Sequence, residues 1–165
     1  MMVGLLRTAV PLVNVLGAGI VCVPGEHVHP LAVEALKRSG YDTCDGSVSQ
    51  RLDKQLVAAS RLILSATREH RTEVVRLDPT AAMRAFTVRE LGRLLREQAP
   101  ASNGDRIVAV LRAANTALAD DPPDQDDDLA DPIGLPYEQF ENCLHEIETA
   151  LEPLIRALRT ESTQR

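Results

Sequence analysis

The sequence is poor in aromatic residues and contains no tryptophan. Only two tyrosines and two phenylalanines occur among its 165 residues. Modules that bind single-stranded nucleic acid stack the bases on aromatic side chains, so this scarcity argues against such a function. No apolar run approaches the roughly 20 residues that span a bilayer. We therefore expect a single domain, over 1–165, with an aliphatic core and no membrane partner.

The chain also lacks the positive charge that nonspecific nucleic-acid binding requires. Its formal net charge is −6. Residues 1–100 carry 13 basic and 10 acidic side chains, whereas residues 101–165 carry 5 basic and 14 acidic ones. Affinity for DNA depends on neutralising phosphates with lysine and arginine. The acidic C-terminal part therefore predicts that nucleic acid is not a partner.

Cysteine is scarce and follows no recognised pairing pattern. The three cysteines are Cys22, Cys44 and Cys143, and no Cys-x-x-Cys occurs. An odd number with such spacing favours a reducing compartment over a disulfide framework. The first residues lack the long apolar region and cleavage site of a secretion signal. These observations predict a cytoplasmic protein.

Strand-like and helix-like patterns alternate along the chain. Apolar runs over 13–16 and 61–65 predict buried strands. Alternation of strands with helices predicts an α/β fold with a parallel sheet covered on both faces. We interpret 120–131 as an acidic loop and 159–165 as a disordered tail. The predicted helices cover 30–37, 54–60, a stretch from the Thr67 cap to 76, a stretch begun by the capping box Thr87-x-x-Glu90, 107–119, and 137–158, whose apolar residues form one stripe.

Six fragments, taken in order, resemble the low-molecular-weight protein tyrosine phosphatase family. The most informative is Asp131-Pro132-Ile133-Gly134 before a long helix, which is similar to the family's acid loop and closing helix. Their order and spacing match the family over nearly the whole chain. The resemblance implies a three-layer, flavodoxin-like α/β fold. The fragments are 13–20, 25–40, 49–52, 62–71, 86–91 and 131–134.

The nucleophile that this resemblance implies is missing from the chain. The family attacks a phosphate monoester with the cysteine of a Cys-x5-Arg loop. Six residues after the three cysteines stand Val28, Gln50 and Thr149, and none of these is arginine. A phosphoryl group needs a cation and backbone N–H donors, and a nucleophilic thiol needs a lowered pKa. We therefore predict a catalytically deficient member, so whether the chain is an enzyme stays open.

Two alignments lead to different views of the N-terminus. In the preferred one, 1–10 is the tail of the family's first helix, and the first strand and phosphate loop are missing. That strand lies between the second and third in the family, so its loss indicates a truncated gene model or a degenerate, rearranged remnant. A rival alignment places Cys22 at the nucleophile. It puts Val28 at the arginine position and shifts the later fragments out of register.

The resemblance implies candidate site residues. Asp131 stands at the position of the general acid, which would protonate the leaving oxygen. Its alternative reading is an ordinary loop aspartate before proline. Ser49, Arg51 and Ile133 are candidates for lining the substrate cleft. We interpret the charged residues 68–71 as a solvated helix face.

No cofactor or metal is predicted. The acidic residues 120–128 could form a calcium loop, but a loop begun at Asp124 lacks the glycine and the final glutamate of an EF-hand. Cys22, His27 and His29 lack a fourth ligand and the usual zinc spacing. We interpret both groups as ordinary loop residues, the acidic ones solvated.

Three functions fit these residues. The first is a protein tyrosine phosphatase-like protein, inactive as it stands, whose partner is a phosphoprotein or none. The second is a noncatalytic interaction module or homodimer that uses exposed strand edges. The third is a relative of the arsenate reductases that share this fold, although the extra redox cysteines near the acid loop are missing.

Overall fold

The computed structural model describes residues 1–23, 25–44, 46–96, 105–120 and 124–159. Among these residues there are seven α-helices and two strands, and the alternation that the sequence patterns predict is limited to one strand–helix–strand unit. None of the described helices is long and apolar enough to cross a membrane. The elements are α1 (Met2–Ala9), α2 (Pro30–Arg38), α3 (Lys54–Ala59), β1 (Ile63–Ser65), α4 (Arg68–Leu77), a 3-10 turn (Pro79–Met83), β2 (Ala85–Thr87), α5 (Val88–Arg96), α6 (Arg106–Ala117), a second 3-10 turn (Gln125–Asp127) and α7 (Tyr137–Arg159).

The sheet of the described residues consists of two parallel strands. Ile63 in β1 lies opposite Ala85 in β2, and the pairing continues to the end of both strands. The predicted strand over 61–65 is confirmed in shortened form, whereas residues 13–16 form no strand. The carbonyl of Val15 accepts hydrogen bonds from the Arg7 side chain instead, with the Nη2–O distance at 3.2 Å. A strand needs a neighbouring backbone, which this segment does not have among the described residues.

The sheet separates two hydrophobic clusters. Leu64 and Phe86 face the larger cluster, to which α1, α2, α5, α6 and α7 contribute. Ile63 and Ala85 face the smaller cluster, built on Val57 of α3 together with residues of α4 and the first 3-10 turn. Successive side chains of a strand point to opposite faces, which accounts for this division. The fold is therefore a three-layer α/β arrangement, as predicted.

Helix α7 closes the larger core. Its buried side chains include Phe140, Leu144, Ile147 and Leu151, which follow the predicted one-face spacing. The helix continues to Arg159, whose Nε donates to the carbonyl oxygen of Ala9 at 2.6 Å. The predicted disordered tail therefore starts too early at 159, and its residues 160–165 lie outside the described ones.

The start of α5 is fixed by a reciprocal cap between Thr87 and Glu90. The Glu90 N–H donates to Thr87 Oγ1 at 3.1 Å, and the Thr87 N–H donates to Glu90 Oε2 at 3.2 Å. This capping box satisfies two amide groups that no helical carbonyl can reach. It also joins β2 directly to α5, with no loop between them.

Candidate active-site groove

A groove runs along the edge of β1 that faces away from β2. Its volume is about 560 Å³. One wall is formed by residues 16–21 and the other by residues 62–66. Helices α3 and α4 contribute Leu56, Val57 and Val74, so part of the lining is apolar. We call this feature the central groove.

Asp131 lines the central groove beside the carboxyl end of β1. The chain reaches this place because the Leu129 N–H donates to the carbonyl oxygen of Ala66 at 2.9 Å. The Asp131 side chain is held in a turn, with Oδ1 accepting from the Ile133 N–H at 3.0 Å. Gly134 has a φ of +82°, a value that favours glycine, and this completes the turn. The turn over residues 131–134 thus places the exposed carboxylate of Asp131 in the groove. The catalytic role of Asp131 stays a prediction.

The other predicted cleft residues do not join Asp131 in the groove. Ser49 is engaged through its backbone, where its N–H donates to the Glu26 carbonyl at 2.8 Å. Arg51 is exposed and lines a neighbouring pocket of about 330 Å³. Ile133 is 65% exposed and is not among the residues that line the groove. Their roles as cleft residues stay predictions.

Gln50 is a groove residue that the sequence patterns did not single out. Its Nε2 donates to the carbonyl oxygen of Gly17 at 2.8 Å. Its backbone contacts the same segment, since the Gly19 N–H donates to the Gln50 carbonyl oxygen at 3.0 Å. Gln50 therefore fixes one wall of the groove. No local sequence signal marks such a long-range contact.

None of the three thiols lines the central groove with Asp131. Cys143 lies in the middle of α7. Burial raises the pKa of its thiol, and the nearby carboxylate of Glu146 raises that pKa further. Cys44 is buried with a φ of +59°, and its Sγ lies 3.8 Å from the carbonyl oxygen of Asp42. Cys22 is half-buried in a loop, and none of the three thiols stands in the first turn of a described helix.

Two carboxylates of the acidic segment are structural, so the prediction of a solvated loop is wrong for them. Asp127 is 3% exposed, and its Oδ2 accepts from Arg93 Nη2 at 2.8 Å. Asp128 accepts the backbone N–H of Arg68 at 2.7 Å and also pairs with that side chain. In the part of the chain that the structure describes, no three potential ligands come together to hold a metal ion.

Arg71 is not part of a solvated helix face, contrary to the prediction for 68–71. Its Nε donates to the carbonyl oxygen of Ala85 at 2.7 Å. Its Nη1 lies 3.9 Å from Oε1 of Glu90, which is 1% exposed. Burial raises the pKa of the Glu90 carboxyl, and the positive charge of Arg71 opposes that rise. The sheet is thus tied to α4 and α5 by a buried polar contact.

We expect Glu90→Gln to weaken the pH dependence of stability. Because the pKa of Glu90 is raised in the folded protein, the folded state binds more protons than the unfolded state above about pH 4.3. The stabilising contribution of Glu90 to the free energy of unfolding is therefore full below that pH. It is lost as the pH rises through the pKa of Glu90 in the folded protein. Glutamine keeps the hydrogen bond to Thr87 without the charge. Urea unfolding between pH 4 and 8 measures the change.

The matched control is Glu138→Gln, which removes one carboxylate from an exposed position of α7. It should leave the pH slope of the free energy of unfolding nearly as in the parent protein. The Glu90→Gln variant should be within about 1 kcal/mol of the parent at neutral pH, since its cap is retained. Equal pH slopes in the parent and in Glu90→Gln would contradict a raised pKa at this position.

The fold and the groove agree with a comparison of the sequence with protein families. Residues 5–103 match the model of the low molecular weight phosphotyrosine protein phosphatase family. This match covers more than half of the 165 residues. The chain belongs to this family. No match was found among the curated proteins.

Solved structures with this fold include three bacterial phosphatases. The Erwinia amylovora tyrosine phosphatase AmsI is 20% identical with a TM-score of 0.69, and the alignment covers 96% of this chain and 83% of AmsI. Vibrio vulnificus Wzb, solved with benzylphosphonate, is 18% identical with a TM-score of 0.68, covering 94% and 86%. The YwlE arginine phosphatase from Geobacillus stearothermophilus is 24% identical with a TM-score of 0.68, covering 96% and 83%. At these identities the likeness concerns the fold.

Proposed function

We propose that this chain is a noncatalytic member of the low-molecular-weight phosphatase family, which does not hydrolyse phosphate monoesters as it stands. One observation carries the proposal. None of its three thiols is followed six residues later by arginine, and none lies with Asp131 in the central groove. The general acid position is occupied, but the nucleophile that it would serve is not beside it.

The charges in the groove support this proposal. Its lining contains the carboxylates of Glu69, Glu73 and Asp131 and no lysine or arginine. A phosphate dianion entering such a groove is repelled by carboxylates and finds no bidentate cation. The raised pKa of Cys143 adds to the obstacle, because a thiol that stays protonated is a poor nucleophile.

A second candidate function is a protein-interaction module, as a binder of a phosphoprotein or as a homodimer. Among the described residues β1 pairs only with β2, so its other edge is unpaired. Exposed edges pair readily with other chains, which favours an interaction role. The arsenate reductase alternative has less support, because the only cysteine near the acid loop is Cys143 on α7. We further propose that the protein acts in the cytoplasm, where its three thiols stay reduced, and without a cofactor.

Binding of orthovanadate tests the missing phosphate site. Vanadate resembles the trigonal transition state of phosphoryl transfer, and such analogues bind phosphatases far more tightly than substrates do. We expect no saturable binding to the purified chain at concentrations up to about 1 mM, as followed by vanadium NMR. Saturable binding that phosphate displaces, and that is lost in one of Cys22→Ser, Cys44→Ser or Cys143→Ser, would contradict the proposal.

A further inference from the structure

The acidic segment 124–129, which leads into the turn over residues 131–134, is held against helix α5. We call this segment the acidic strap. Asp127 is 3% exposed and accepts two hydrogen bonds from Arg93 of α5, with Nη2–Oδ2 at 2.8 Å and Nε–Oδ1 at 3.3 Å. A bidentate pair of this kind fixes the orientation of both side chains. The position of the acidic strap therefore depends on Arg93.

The end of the acidic strap is held against the start of α4. Asp128 Oδ1 accepts the backbone N–H of Arg68 at 2.7 Å. The Leu129 N–H donates to the carbonyl oxygen of Ala66 at 2.9 Å, and Leu129 is 7% exposed. The Leu129 amide therefore reports whether the acidic strap is docked.

Glu90 lies beside the first of these contacts. It precedes Arg93 by three residues, so the two side chains share one face of α5. Glu90 is 1% exposed, and its Oε2 accepts the Thr87 N–H at 3.2 Å. Its Oε1 lies 3.9 Å from Arg71 Nη1 and has no hydrogen-bond partner among the described residues. Ionisation would leave this buried oxygen with a poorly solvated charge, which favours the protonated carboxyl.

The charges around Glu90 connect its protonation to the acidic strap. Burial raises the pKa of Glu90, and the positive charge of Arg71 opposes that rise. The negative charge of Asp127 raises this pKa further, whereas Arg93 lowers it. Ionised Glu90 and Asp127 are therefore like charges that both interact with Arg93. Ionisation of Glu90 weakens the hold of Arg93 on Asp127.

Two other charged groups adjoin these elements. Glu146 of α7 faces α5 and pairs with Arg89 at the surface, with Oε2 and Nη1 3.1 Å apart. His70 of α4 lies close enough to Asp128 for its charge to act on that carboxylate. Titration of His70 would give the acidic strap a pH dependence of its own. A variant of His70 therefore belongs in the test.

We propose that Glu90 is a buried proton switch for the acidic strap. While Glu90 is protonated, Arg93 is engaged by Asp127 and the strap is docked. When Glu90 loses its proton to water, its charge repels Asp127 and competes for Arg93, so the strap loosens. The turn over residues 131–134 follows the strap, so the same event loosens the hold on Asp131 in the central groove. This inference goes beyond the proposed lack of phosphatase activity and does not rest on it.

NMR of the full chain tests the switch as the pH is varied. The carboxyl carbon of Glu90 gives its titration, and relaxation dispersion at the Leu129 amide gives the population of the open strap. We expect that population to rise at least about fivefold as Glu90 ionises. The Ile63 amide, which donates to the carbonyl oxygen of Arg84 in the sheet, should show no such exchange.

Three variants separate Glu90 from its neighbours. Glu90→Gln is neutral at every pH, so the open population should stay low throughout. His70→Gln should show the same rise as the parent chain. Asp127→Asn removes the like charge and releases Arg93 to Glu90, so the pKa of Glu90 should fall in this variant. This shift would not follow from a merely structural contact.

Several outcomes would overturn the proposal. One is a Glu90 carboxyl that does not titrate between about pH 4 and 9. Others are an open population that does not change with pH, that rises equally in Glu90→Gln, or whose rise is lost in His70→Gln. Equal exchange at Ile63 would show that the whole sheet opens, and an unchanged pKa of Glu90 in Asp127→Asn would show that the two carboxyls are not coupled. A rise confined to the strap, absent from Glu90→Gln, with the pKa of Glu90 lowered in Asp127→Asn, would support the switch.

Discussion

Replacing Gly92 by alanine is expected to destabilise the protein by about 1–3 kcal/mol or more, and to lower the melting temperature accordingly. Gly92 lies in α5, where that helix crosses α7. A Cβ atom at this position would stand 2.3 Å from the carbonyl oxygen of Ala150 and 3.0 Å from its Cα. These atoms belong to the backbone of α7, so the helices must separate to accommodate the methyl group.

The sign of this prediction is decided by packing, because helix propensity acts the other way. Alanine is favoured over glycine by about 1 kcal/mol inside an exposed helix. Gly92 is buried, and many contacts between α5 and α7 depend on the close approach. Thermal and urea unfolding of the variant and the parent measure the net effect.

Gly17→Ala is the matched control for Gly92→Ala. A Cβ atom there would stand 3.0 Å from Cγ2 of Val3, which is the end of a side chain that can move. The control should therefore lose much less stability than Gly92→Ala. If the two variants were equally stable, or if Gly92→Ala stabilised the protein, the result would contradict the close approach of α5 and α7 at Gly92.

Local signals in the sequence predicted the helices well. Thr67 caps α4, with its Oγ1 accepting from the His70 N–H at 3.2 Å, and the Thr87–Glu90 box begins α5. The one-face spacing of α7 predicted its buried stripe. Caps and periodicity depend on residues a few positions apart, so a single sequence contains them.

The sheet was harder to predict because strands depend on partners. β2 has only three residues, and it was missed because α5 follows it without a break. The segment 13–16 has the composition of a strand but lacks a paired neighbour among the described residues. A hydrophobic run indicates burial, and pairing decides whether it becomes a strand.

In the candidate site, too, the sequence predicted local features and missed long-range contacts. The Asp131 loop was found from its motif and lies in the central groove. Glu69, Glu73 and Gln50 line the same groove, but their residue types and spacing carry no chemical signature. The contacts of Asp127 with Arg93 and of Asp128 with Arg68 span 34 and 60 residues. Charge runs in a sequence do not reveal such partners.

Hydrolysis of para-nitrophenyl phosphate is expected to be undetectable for the purified chain. Enzymes commonly turn over at about 10 per second, and we expect a rate at least ~10⁴-fold lower here. The reason is that none of the three thiols is followed six residues later by arginine, and none lines the central groove. Asp131 cannot replace either part, because a general acid only assists departure of the leaving group.

The Asp131→Asn variant, purified in parallel, makes this the most direct test of the noncatalytic proposal. A contaminating phosphatase would give equal activity in both preparations, since Asp131 would not influence it. We predict that neither preparation releases para-nitrophenol above the buffer rate at any pH between 5 and 8. Turnover by the parent chain that Asp131→Asn abolishes would contradict the proposal and establish a working phosphatase.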